Sequence, residues 1–103
     1  ILTKKDSDDG IVVSGYVVDE STGKKLKEVS IYDPISLQST VTDEFGFFQL
    51  EVKKPTKEQM QLAIKKNQYA DTLLLVPSKR SSFQNLSLKI DEEKWRVFSD
   101  SLD

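Results

Sequence analysis

The sequence holds 103 residues, with 15 basic against 17 acidic side chains, a formal net charge of −2, and neither Cys nor His. Metal sites ligated by cysteine or histidine, thiol chemistry and imidazole acid–base catalysis are therefore excluded, and the excess positive charge that phosphate-directed nucleic-acid binding needs is absent. With 37% hydrophobic and 31% charged residues, the composition fits one globular domain built round a single core.

No apolar run approaches the roughly 18 residues of a membrane helix, so direct membrane insertion is not expected. The chain opens at Ile1 rather than at a Met and reads as a piece of a longer protein. The missing leader signal therefore carries no information.

Residues 1–10 are polar after Ile1 and Leu2 and read as a flexible leader. Asp6, Asp8 and Asp9 there suggest a calcium loop, but Gly10 and Val17 stand where acidic ligands belong, so no metal is expected. From Ile11 short apolar runs alternate with turn residues, the pattern of an all-β sandwich or barrel. Strands are expected to begin near Ile11, Leu26, Ser39, Phe47, Met60, Thr72 and Gln84, with the domain ending near residue 90.

Period-two alternation marks one buried and one wet face per strand. Val13, Gly15 and Val17 share one face, as do Val29 and Ile31; Phe48, Leu50 and Val52; Met60, Leu62 and Ile64; and Leu86, Leu88 and Ile90. Leu73–Val76 is apolar on both faces and reads as a central strand. Between the strands, Gly23 and Gly46 occupy turns that need a positive φ, and Asp43 is placed to bond the backbone of the second turn. Pro34, Pro55 and Pro77 are expected outside the ladders. In residues 91–103, Asp91 can cap a short helix whose Trp95, Phe98 and Leu102 share a face, the alternative being the start of a linker.

Val13-Ser14-Gly15-Tyr16-Val17-Val18-Asp19, then Thr22-Gly23-Lys24-Lys25-Leu26, Val29-Ser30-Ile31 and Thr40–Leu50 resemble, in order and spacing, successive motifs of the carboxypeptidase-regulatory-like domain family. Lys25 stands where that family usually has proline, and its later aromatic motif survives only as Lys66-Asn67-Gln68-Tyr69. The resemblance implies a seven-stranded Greek-key β-sandwich of transthyretin (prealbumin) type. Such domains are non-catalytic companions of metallopeptidases, or sit in the periplasmic part of TonB-dependent outer-membrane transporters and other envelope proteins of Gram-negative bacteria. The resemblance thus implies an extracytoplasmic, periplasmic or outer-membrane-associated setting.

Asp19, Glu20, Asp43 and Glu44 are the carboxylates that hydrolytic chemistry would need, yet all fall in turns, and no phosphate-binding glycine loop is present. By alternation Tyr16, Tyr32 and Phe47 point away from the core and form the candidate interaction surface. The expectation is a scaffolding or protein-docking domain without cofactor, whose partner is the rest of its parent protein or another protein. A carbohydrate-binding module that stacks a glycan on those rings is the alternative.

Overall fold

The computed structural model describes residues 10–53, 58–94 and 96. The calcium-loop residues Asp6, Asp8 and Asp9, Pro55, and the helical face of Trp95, Phe98 and Leu102 lie outside them.

Seven strands follow one another: β1 (Gly10–Asp19), β2 (Ser30–Tyr32), β3 (Ser39–Val41), β4 (Phe47–Lys53), β5 (Gln59–Lys65), β6 (Thr72–Pro77) and β7 (Ser82–Leu88). They form two sheets, one ordered β4-β1-β7 and the other β3-β2-β5-β6. β1 runs antiparallel to β4 and parallel to β7, and every pairing in the second sheet is antiparallel. Alternate side chains are buried along β1, β4 and β5 and, less completely, along β2, β6 and β7, so the two inner faces meet in one apolar core. From the first sheet come Val13, Val17, Phe48, Leu50, Val52, Leu86 and Leu88; from the second Ile31, Met60, Leu62, Ile64 and Val76.

Two core positions depend on more than alternation. Gly15 faces inward with Val13 and Val17, and the backbone of β7 passes through the space its side chain would fill. Thr42 is buried just past β3; its hydroxyl accepts from the Val29 amide at 2.9 Å and donates to the Leu26 carbonyl at 2.7 Å. That hydroxyl fixes the irregular stretch before β2 to the far side of the β2–β3 hairpin.

The structure corrects several expectations. Leu73–Val76 lies in an edge strand, not a central one, and Leu73 and Leu75 face solvent. Leu26 does not open a strand: residues 24–26 instead hydrogen-bond back to Val17 and Asp19 at the end of β1, and the second strand begins at Ser30. β7 begins at Ser82, two residues before the expected Gln84, and Gly10 already belongs to β1. Ile90 is exposed and makes only an isolated bridge to Tyr69. Pro77 is the last residue of β6, a position open to proline because the strand is an edge. Beyond Ile90, the Asp91 carboxylate accepts from the amides of Glu93 and Lys94 at 3.0 and 3.2 Å, capping a short helical segment.

Candidate functional site

The carboxylates come first, because catalysis would need them free. Asp19, at the end of β1, is buried and its oxygens are occupied. Oδ1 accepts from the amides of Ser21 and Thr22 at 2.8 and 3.1 Å, and Oδ2 accepts from the Tyr69 hydroxyl at 2.5 Å. The Tyr69 hydrogen bond, reinforced by the two amides, holds the Asp19 carboxyl below its ordinary range. Burial, with the Asp19 carboxylate beside it, pushes the Tyr69 hydroxyl up to about 12. At neutral pH the pair is therefore a fixed carboxylate and a fixed O–H donor, a clamp that ties the β1 turn to the β5–β6 loop.

The other turns are built the same way. Asp43 Oδ1 accepts from the amides of Phe45 and Phe47 at 2.8 and 3.0 Å, and Gly46 follows at φ 77°. Gly23 closes the first turn at φ 75°. Asp33 caps the β2–β3 loop through the Ile35 amide and the Ser36 hydroxyl. These side chains satisfy backbone donors of their own loops, which is structural work.

Among the described residues no cluster of acidic side chains has metal-ligating geometry. An open surface cleft is lined by Glu28, Lys65, Lys66, Asp71, Glu93 and Lys94. Charges of both signs alternate there, and Lys94 pairs with Asp71 at 3.1 Å. Ser30 also lines the cleft beside Lys65, but among the described residues no hydrogen bond joins its hydroxyl to a base, and the cleft is not a single-signed binding surface.

The aromatic surface is divided between the two sheets. Tyr16 and Phe47 are register partners on the outer face of the three-stranded sheet, with ring centroids 5.4 Å apart and planes tilted by 59°. Tyr32 belongs to β2, in the other sheet, so the three rings expected to form one surface do not. Phe83 takes the third place: it stands on β7 beside Ser14, its ring 6.0 Å from Tyr16 at 63°. Lys25 adds its ammonium 5.3 Å above the Tyr16 ring. Asn85 pairs with Tyr16 and Gln49 with Ser14, so two amides flank the rings on the same face. Phe83 was within reach of the alternation rule, since Phe83, Asn85 and Ser87 oppose Leu86 and Leu88. Starting the strand at Gln84 hid it.

No family model and no curated protein matches the chain. Solved structures do resemble it. One is a chain of the type II cohesin–X–dockerin complex of Acetivibrio cellulolyticus carrying a C-terminal interface mutation, with TM-score 0.55 and 21% identity over 74% of this chain and 52% of that one. The corresponding N-terminal interface mutant gives 0.57 and 18% over the same shares. The chain thus spans about half the length of the solved chains it resembles. At this identity the likeness is one of fold, that of a β-sandwich.

Proposed function

We propose that the chain is a non-catalytic accessory domain that docks against protein through the outer face of the three-stranded sheet, around Tyr16, Phe47 and Phe83. One observation carries this reading: on one sheet surface the Tyr16 ring packs tilted against Phe47 and edge-on against Phe83, with Tyr16 and Phe83 exposed. Aromatic side chains dominate the buried centres of protein interfaces because they offer large area with few rotamers to freeze. The structural neighbours come from a complex of cohesin, X and dockerin domains whose variants are described by their interfaces, which supports a role in assembly.

The finer attribution rests on the sequence resemblance. On that basis the domain is of the transthyretin-like, Greek-key, carboxypeptidase-regulatory-like class and belongs to a larger envelope protein of a Gram-negative bacterium, facing the periplasm or the outer membrane.

The alternative, a glycan-binding module, draws support from Gln49 and Asn85 beside the rings. Ring tilts of 59° and 63° weigh against it, because a flat platform for successive pyranose rings needs near-coplanar aromatic faces. Affinity electrophoresis through gels containing soluble plant and host polysaccharides is expected to show no retardation. Retardation that Tyr16→Ala or Phe83→Ala removes would replace the docking reading with the glycan one.

A further inference from the structure

β6 is the outermost strand of the four-stranded sheet and pairs with β5 alone. Among the described residues no backbone hydrogen bond leaves Thr72–Pro77 for an element other than β5. Such an edge presents a row of unpaired amides and carbonyls to any incoming strand. The other edge of this sheet, β3, is only three residues long; in the other sheet β4 carries Glu51 and Lys53 along its edge, and β7, though uncharged, is polar at Ser82, Gln84, Asn85 and Ser87 and has its inward Leu86 and Leu88 already buried. Thr72–Pro77 has six residues and no charge, and its only proline is the last one.

Its side chains are unfinished on both faces. Leu73 and Leu75 point outward and remain 64% and 54% exposed. Leu74 points into the sandwich but is only partly covered, whereas Leu62 and Ile64 on the neighbouring strand are fully buried. The sandwich is therefore not closed along this edge.

We infer that the occupant of this edge is a second copy of the chain, with the two β6 strands antiparallel about a twofold axis at Leu74. The segment Leu73-Leu74-Leu75 is self-complementary about its centre. In this register Leu73 of each copy faces Leu75 of the other on the outer surface, and the two Leu74 side chains meet inside and cover each other. A shift by one residue would set outward side chains against inward ones, so this register is strongly preferred. The charges agree with the direction. Asp71 precedes the strand, while Lys79 and Arg80 follow it. Asp71 is already paired with Lys94, but antiparallel pairing keeps the basic ends at Lys79 and Arg80 apart, whereas parallel pairing would set them against each other. The contact is isologous, so it closes at two copies and joins two four-stranded sheets into one. A single strand pair buries less than the ~800 Å² per partner of a standard stable interface, so the dimer of this chain alone is weak.

Sedimentation equilibrium of the 103-residue chain from about 10 µM to about 1 mM tests this. The weight-average mass should rise from one chain toward two, and the edge-facing amides among residues 72–76 should gain exchange protection over the same range. Leu73→Lys with Leu75→Lys should abolish the rise. Leu73→Lys with Leu75→Glu should restore it, because this register sets the new ammonium of one copy against the new carboxylate of the other. Both positions are solvent-facing, so the variants should fold, which circular dichroism checks. A constant single-chain mass, association that survives the double lysine variant, or growth beyond two copies would overturn the inference.

Discussion

Gly15→Ala is expected to lower stability by about 3 kcal/mol or more, or to abolish the folded state. A Cβ at this position would lie 1.6 Å from the Gln84 carbonyl oxygen and 2.6 Å from its carbon. Both are backbone atoms, so no change of rotamer can relieve the overlap. β7 cannot simply retreat, because it is held to β1 from Val13↔Ser82 to Asp19↔Leu88. Overpacking against adaptable side chains costs about 1–3 kcal/mol, and a backbone obstacle puts Gly15→Ala at or above the top of that range. For a domain of this size each kcal/mol moves Tm by about 4–8 °C, so a drop of at least ~12 °C should appear in a thermal melt. Gly23→Ala is the comparison. Gly23 has a φ of 75° but nothing within 4 Å of its missing Cβ, so alanine there pays only the left-handed backbone cost of about 1–2 kcal/mol. Equal losses at the two positions would contradict the close passage of β7 over Gly15.

Gly46→Val should cost about 3 kcal/mol for two reasons that add. Its φ of 77° is one that β-branched residues hardly ever adopt. Its Cβ would also meet the Val17 carbonyl oxygen at 2.9 Å, Lys25 Cβ at 3.1 Å and the Leu26 amide at 3.2 Å. Those contacts crowd the place where the Gly46 carbonyl accepts from Val17 and the Val17 carbonyl accepts from Leu26. Lys24→Val, at an exposed side chain in the neighbouring turn, should change stability by less than about 0.5 kcal/mol. Chemical denaturation of the two variants checks the contrast, and a negligible effect at Gly46 would show that the turn is misdrawn.

Much of this fold is legible in the sequence because period-two burial leaves a direct trace. Phe48, Leu50 and Val52 alternate with exposed or polar neighbours, and all three are buried as that pattern requires. β6 is where the rule fails. Three adjacent leucines read as a strand buried on both faces, but a run of leucines is equally what an uncovered edge looks like, and only the strand order distinguishes the two. Leu26 was misleading for a related reason: it is buried, but by a chain folding back on β1 rather than by a ladder. The Asp19–Tyr69 clamp joins residues 50 apart and leaves no local signal.

The candidate surface was half legible. Alternation places Tyr16 and Phe47 outward, but no local pattern says which strands lie side by side. Outward alternation alone therefore groups Tyr32 with rings on the opposite sheet and gives no sign that Phe83 joins Tyr16, although β7 lies directly beside β1.

Site-specific photo-crosslinking of the protein in cells tests the docking reading most directly. A photoreactive phenylalanine analogue at position 83 or 47 should form a covalent adduct with protein. The same probe at Gln61, on the outer face of the other sheet, should form far less. Absence of protein adducts at positions 83 and 47, or adducts with polysaccharide instead, would contradict the account.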